Sequence, residues 1–427
     1  MIGSVGRRGL GALALALLGL SACARPRPPE RIVLIVIDTL RRDALGSYGG
    51  KIGTPALDAL AASGVAVPGM TSAFHQTTAS MASLFTGRTP SLETGDAAQP
   101  LPWTGETWCG LARFGAPGAP CIPASLPTLA QSLHDAGYWT IGIISNELMH
   151  APSGFGRGFD DLVEVGGLPE PGTPPWRARS WKRVHPAATS AIDRRLGDHF
   201  FLYVHYMDVH DYGERGDHYE DGVREADAAV GALLDHLKER GLYEGSVIVV
   251  TGDHGEHLGE KHPPFPNRAL ELHYGNPSYE ELLAVPLLVS PRSALSGEPP
   301  HTTQELHAWL LRLAGAQPDP PRGAEPAADE LYVSELAYRT YRRDGWKSAF
   351  DRSQDRVLLF DLAHDPNEQQ DLSATRPDVV EAHRRRVDEL TRELAASGAR
   401  RAAISAEERA RLEALGYLEP SEALKQP

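Results

Sequence analysis

Residues 31–38 read Arg31-Ile32-Val33-Leu34-Ile35-Val36-Ile37-Asp38, six aliphatic residues in a row closed by a carboxylate. An unbroken apolar run of this length fits a strand covered on both faces, as in a parallel sheet, and not the alternating pattern of a half-exposed one. Four more runs share the character, at 140–144, 200–204, 247–250 and 286–289. Helical spacing lies between them: over 55–63 before Gly64, over 126–136 before Gly137, and over 219–240 before Gly241. In the last, Val223, Ala226, Val230, Leu233, Leu234 and Leu237 share one face. Strands alternating with helices predict an α/β fold, a doubly wound and mostly parallel sheet with helices on both faces.

The chain has 427 residues, 41% of them hydrophobic and 23% charged, enough apolar surface to offset the ordering entropy of a large domain. We divide it into a large α/β domain over 31–327 and a C-terminal α+β subdomain with a helical tail over 328–427. Pro/Gly-rich stretches at 165–176 and 316–327 read as surface loops or a boundary. In the subdomain, 331–335 and 356–360 read as strands, 378–396 as a charged helix, and Ser405 with Glu408 as the capping box of a short helix. Arg384-Arg385-Arg386 lies among acids and reads as a solvated helix face. A net charge of −14 argues against a nucleic-acid partner, which needs a basic field.

At the start, Arg7 and Arg8 precede an apolar run over 9–20, too short to span a bilayer and suited to a signal-peptide core. The run ends Leu20-Ser21-Ala22-Cys23, which resembles the lipobox of bacterial lipoproteins. That resemblance implies a signal peptide over 1–22, a lipid anchor on Cys23 and a Pro-rich tether over 23–30. The expected location is the periplasm-facing cell envelope, in the outer membrane because alanine follows Cys23, with membrane contact through the lipid alone. Export would leave Cys109 and Cys121 in an oxidising compartment on either side of a Gly/Pro-rich stretch, so a local disulfide is expected. Trp103 and Trp108, in the same stretch, either wall a pocket or anchor the loop.

In an open α/β sheet, ligands bind beyond the carboxyl ends of the strands. Three of the five runs end in residues of metal-ligand type. The first delivers Asp38, the run at 200–204 leads into His205, Asp208 and His210, and the run at 247–250 leads into Asp253-His254-Gly255-Glu256. Any one of these could cap a helix. Three sets at one edge of one sheet point to a metal centre, and His273, ahead of another strand, is a fourth candidate.

These residues resemble the alkaline phosphatase-like metal hydrolases and, within them, the sulfatase family. Asp38-Thr39-Leu40-Arg41-Arg42-Asp43 through Tyr48-Gly49 is similar to that family's opening metal motif, and Thr54-Pro55-Ala56-Leu57-Asp58 to the helix that follows. The string from Ser80 to Arg88 resembles its nucleophile segment, and Asp253-His254-Gly255 its second metal motif. The string from Phe360 to Glu368, with Leu415-Gly416-Tyr417, resembles its C-terminal subdomain. One departure bears on the chemistry. Sulfatases of the formylglycine type carry Cys or Ser in a Cys/Ser-x-Pro-x-Arg string, where that residue becomes the aldehyde nucleophile. Here the string is Thr77-Thr78-Ala79-Ser80-Met81, and threonine cannot give formylglycine. The segment resembles members whose unmodified Thr attacks, as in related phosphodiesterases and phosphomutases. The competing role for Thr77 is N-cap of a helix over 79–85.

The resemblance implies two divalent ions. Asp38, Thr77, Asp253 and His254 would hold one, and Asp208, His210 and His273 the other, with His205 as an alternative ligand. Imidazole suits zinc or manganese better than calcium. His210 or His273 could instead be the general acid. Arg88 would brace the nucleophile helix or reach the substrate anion, and Lys261-His262 would contact that anion or be solvated. The implied reaction is hydrolysis of an anionic ester, sulfate or phosphate, small or linked to a glycan or lipid, through a covalent Thr77 intermediate. The family favours sulfate; the hydroxyl nucleophile favours phosphate. The alternatives are a phosphoryl- or phosphoethanolamine-type transferase on the same fold, and a non-catalytic ligand-binding lipoprotein.

Overall fold

A computed structural model describes residues 27–92, 109–115, 119–166, 179–263, 277–319, 326–327, 329–335, 338–352 and 354–394. Cys23, Trp103, Trp108, His273, the signal segment and the segment opened by Ser405 lie outside these residues. The main sheet is built from β1 (Arg31–Ile37), β2 (Val65–Ala66), β3 (Trp139–Ile144), β4 (Asp161–Glu164), β5 (Phe200–Tyr206), β6 (Ser246–Gly252) and β7 (Leu287–Ser290). Their spatial order is β2-β7-β6-β1-β5-β3-β4. β1 lies at the centre, parallel to β5 on one side and β6 on the other. All seven of its residues are buried, as the unbroken apolar run requires. Because side chains alternate along a strand, Ile32, Leu34 and Val36 join one hydrophobic core while Val33, Ile35 and Ile37 join another on the opposite face.

Helices cover both faces. They are α1 (Pro55–Ser63), α2 (Thr77–Thr86), α3 (Leu129–Asp135), α4 (Trp181–Asp193), α5 (Tyr212–Arg215), α6 (Tyr219–Glu239), α7 (Glu280–Leu283) and α8 (Thr303–Leu313). Leu84 and Phe85 of α2 pack in the first core with Leu306 and Leu310 of α8. Val184 and Ile192 of α4 pack in the second core with Val223, Val230 and Leu237 of α6. α1 matches its expected bounds, and α3 starts three residues after the expected start because Thr128 forms a capping box with Gln131. β7 runs antiparallel to β6 and begins after Pro286, whose carbonyl accepts a hydrogen bond from Thr251 Oγ1 at 2.8 Å. Among the described residues no helix is long and apolar enough to cross a membrane.

A second, antiparallel sheet is built from β8 (Leu331–Glu335), β9 (Tyr338–Arg343), β10 (Trp346–Asp351) and β11 (Arg356–Asp361), in the order β11-β10-β9-β8. β9 and β10 were not expected. They form a hairpin whose turn, Asp344-Gly345, has both residues at positive φ (52° and 78°), matching the right-handed twist of the strands it joins. α9 (Pro377–Leu394) lays Val387, Leu390 and Leu394 on Tyr332, Tyr341 and Phe350 of this sheet. The buried ammonium of Lys347 ties the sheet to α7, at 3.1 Å from Glu280 and 2.9 Å from Glu368. Cys109 and Cys121 form a disulfide, with Cα atoms 5.3 Å apart.

Candidate active site

The carboxyl ends of β1, β5 and β6 lie side by side, so the residues that follow these strands converge. Asp38 and Asp253 follow β1 and β6, and both are fully or almost fully buried, with His254 beside them. Their ligand atoms lie within 4.8 Å of one another. Thr77 brings its hydroxyl to the same point, with Oγ1 3.4 Å from Asp38 Oδ2 and 3.3 Å from His254 Nε2. It is the first residue of α2, with Gln76 at the N-cap position, so the helix begins two residues earlier than expected and Thr77 does not cap it. Thr77 thus stands at the N-terminus of α2, the positive end of the helix dipole, a setting that favours an anion.

Hydrogen bonds orient each group. Asp38 Oδ2 accepts from Asn146 Nδ2 and from His205 Nε2, both at 3.1 Å, while His205 Nδ1 pairs with the Tyr203 hydroxyl at 2.9 Å. Asp253 Oδ1 accepts the backbone amides of Thr39 (2.9 Å) and His254 (2.8 Å). Ser80 Oγ, one turn along α2 from Thr77, donates to the Asp253 carbonyl at 2.6 Å. His254 Nδ1 lies 2.8 Å from the Gly255 carbonyl, which can only accept. The proton of the neutral ring thus sits on Nδ1, and Nε2 carries its lone pair into the site. Thr39 holds this turn at φ 56°, unusual for a β-branched residue, with its carbonyl fixed by the Tyr219 hydroxyl at 2.8 Å. Its Oγ1 is buried and has no hydrogen-bond partner among the described residues.

Two oxygens are left over. Among the described residues neither Asp38 Oδ1 nor Asp253 Oδ2 accepts a hydrogen bond, although both are buried. Burial pushes Asp38 up, but the hydrogen bond from His205 and the charges of His210, His205 and His254 outweigh it and hold the carboxyl below the usual range. Asp253 moves the other way, raised by burial and then by the charge of Asp38. Two adjacent buried carboxylates cannot both carry charge cheaply unless a cation lies between them. Two orphaned carboxylate oxygens, an imidazole lone pair and a hydroxyl form a donor set that fits a divalent cation.

The other expected residues are distributed differently. Asp208 accepts from Ser180 Oγ and from the Trp181 amide at 3.0 Å at the start of α4, where a carboxylate answers exposed amides. The spacing could not reveal this, because α4 was not anticipated. His210 is partly buried and lies 2.9 Å from Asp211. Burial opposes its charge, yet the hydrogen bond to Asp211 and the charges of Asp38, Asp211 and Glu256 raise its pKa to about 10. Arg88 is buried and stands two residues past the C-terminus of α2, at the opposite end of that helix from Thr77. His262 turns away from the solvent: Nε2 meets Glu281 at 2.6 Å and the ring stacks on Tyr279 at 3.7 Å. Lys261 is exposed on the same loop. Asn146 was missed, although it stands two residues beyond β3 and the rule that found Asp38 would have found it.

The family model "Sulfatase" matches residues 30–316. N-acetylgalactosamine-6-sulfatase of Mus musculus is 28% identical over 58% of this chain and 54% of its own length. Arylsulfatase A of Homo sapiens is 28% identical, over 58% and 56%. The chain thus spans about half the length of these relatives. Among solved structures, Ps i-CgsB in complex with k-i-k-neocarrahexaose superposes with a TM-score of 0.63 at 18% identity, over 94% of this chain and all of that one. The phosphonate monoester hydrolase of Agrobacterium radiobacter gives 0.61 at 15% identity, over 85% and 95%. These structural likenesses show the alkaline phosphatase-like fold, and the match over 30–316 shows that the chain belongs to the sulfatase family.

Proposed function

We propose that the protein is a divalent-metal-dependent sulfate-ester hydrolase in which Thr77 is the nucleophile. The observation that carries this reading is the convergence of Thr77 Oγ1 with the orphaned oxygens of Asp38 and Asp253 and with His254 Nε2 at the N-terminus of α2. Asp38, Asp253, His254 and Thr77 would hold the ion, which when bound supplies the positive charge that acidifies a neighbouring alcohol and neutralises an anionic ester. Thr77, its hydroxyl proton given up to solvent, attacks the sulfur, forming an oxygen–sulfur bond as the bond to the leaving alcohol breaks. His210, kept protonated by Asp211, is suited to pass its proton to that departing oxygen. Water then releases sulfate and restores the Thr77 hydroxyl. The His205–Asp38 hydrogen bond and the two amides on Asp253 fix the carboxylates, so little reorganisation accompanies the charge movement.

Sulfated glycans are the substrate class supported by neighbours such as the carrageenan-oligosaccharide complex and a 2-O GAG sulfatase, the latter superposing at 0.62 with 15% identity. A second reading, phosphate or phosphonate ester hydrolysis, is favoured by Thr77 itself, since an unmodified hydroxyl replaces the aldehyde. Turnover of aryl sulfate, aryl phosphate and a phosphonate monoester by wild type and Thr77→Ala separates the two. Sulfate hydrolysis lost in the variant supports the proposal; sulfate hydrolysis equal in both proteins removes Thr77 as nucleophile. We also propose a Cys23 lipid anchor in the cell envelope, on the strength of the motif at 20–23.

A further inference from the structure

The chain enters the sheet at the edge opposite the active site. The Pro29 carbonyl accepts the Tyr138 hydroxyl at 2.7 Å, and the Glu30 carbonyl accepts the amide of Phe200 at 3.2 Å. Arg31 is in register with Phe200 and Ser246, the first residues of β5 and β6. Arg27 and Pro29 line a cleft along this amino edge with Ser246, Ser296, Trp309 and Arg312. Asp38 and Asp253 stand past the other ends of β1 and β6. Seven residue steps separate Arg31 from Asp38, so the two edges lie about 23 Å apart at ~3.3 Å per step. Four residue steps separate Cys23 from Arg27, a reach of no more than ~14 Å however extended the chain.

From these distances we infer that a bilayer holding Cys23 faces the amino edge of the sheet and that the active site opens away from it. The enzyme would then draw anionic esters from the aqueous phase or from polymeric glycans beyond the membrane, and not from lipids in the bilayer that holds it. This inference rests on the ester-hydrolase and anchor readings for its meaning, but its geometry can be tested apart from both. With Cys109 and Cys121 joined, Cys23 is the remaining thiol of three cysteines. Coupling the full chain through Cys23 to a maleimide lipid in phosphatidylcholine vesicles creates the anchor whether or not a cell acylates it.

A fluorescent donor is then placed by an unnatural residue at Leu258, exposed on the loop after β6, or at Ser296, exposed on the amino edge. Energy transfer to an acceptor dye in the bilayer should be several-fold stronger from position 296 than from position 258; equal or reversed transfer overturns the orientation. On the same vesicles, a sulfated glycolipid in the anchoring bilayer should be hydrolysed no faster than one in separate vesicles. A tenfold advantage for the anchoring bilayer overturns the substrate assignment. Loss of all turnover with the transfer difference intact would count against the hydrolase reading alone.

Discussion

The loop after β6 supplies histidines to two histidine–carboxylate clusters, and they are finished in opposite ways. The first joins Asp38, Asp253 and His254; the second joins His257, His262 and Glu281. In the first, two buried carboxylate oxygens have no hydrogen-bond partner. In the second, one oxygen of Glu281 receives both His257 Nδ1 at 3.3 Å and His262 Nε2 at 2.6 Å. Similar ligand types therefore serve two purposes. Unmet acceptors leave the first cluster in need of a cation, whereas mutual hydrogen bonds make the second a strut. The strut has a clear position, since α7 carries Glu281 toward this loop and its neighbour Glu280 toward Lys347 and Arg342 of the second sheet.

The contrast breaks most sharply at the nucleophile. Thr77→Ala should lower kcat on an aryl sulfate by about 10³-fold or more, while Thr77→Ser keeps most of it; a small effect of alanine would separate the hydroxyl from the chemistry. Metal retention comes next. Asp253→Asn should weaken binding of zinc or manganese by more than about 100-fold, read by elemental analysis after dialysis against a chelator, and Glu281→Gln should leave the metal content unchanged. Equal loss in both variants would erase the distinction between the clusters. Stability should show the reverse order of interest: Glu281→Gln removes the negative charge and one of the two acceptor oxygens facing His257 and His262 and should cost about 1–3 kcal/mol in denaturant unfolding.

The smallest effect is a pH dependence. Burial lowers the His262 pKa, but the hydrogen bond and charge of Glu281 raise it above its ordinary 6.5. Burial raises Glu281, and His262 overcomes this to hold it below 4.5. A raised histidine contributes stability that is complete below pH 6.5 and lost as pH climbs through the folded value. A depressed carboxyl contributes stability that is complete above pH 4.5 and lost as pH falls through its folded value. The pair therefore stabilises most between about pH 4.5 and 6.5. Unfolding midpoints measured across pH should decline above that window in wild type and decline less in Glu281→Gln. Parallel curves would deny the strut its electrostatic part.

Most of the main sheet was legible because β1 and its neighbours are buried on both faces, which demands unbroken apolar runs. The elements that escaped are those with mixed patterns. β4 carries Asp161-Leu162-Val163-Glu164 at the sheet edge, β9 carries Tyr338-Arg339-Thr340-Tyr341 with one face wet, and Pro186 lies inside α4. The convergence of Asp38, Asp253 and His254 was legible because they stand directly after strands. Asp208 stands after a strand too, yet the cap it supplies depends on a helix with no local signal. His205 illustrates the same limit: its strand position was visible, but its service to Asp38 follows from β1 and β5 being neighbours.

Thr39 carries a cost that the rest of the core avoids, a β-branched residue at positive φ with a buried hydroxyl lacking a partner among the described residues. Glycine would accept that backbone geometry freely and would remove the unpaired oxygen. A lineage selected for heat resistance alone would thus be drawn to replace this threonine. Its persistence would then mark selection for a rigid turn joining Asp38 to the Asp253 carboxylate over selection for endurance.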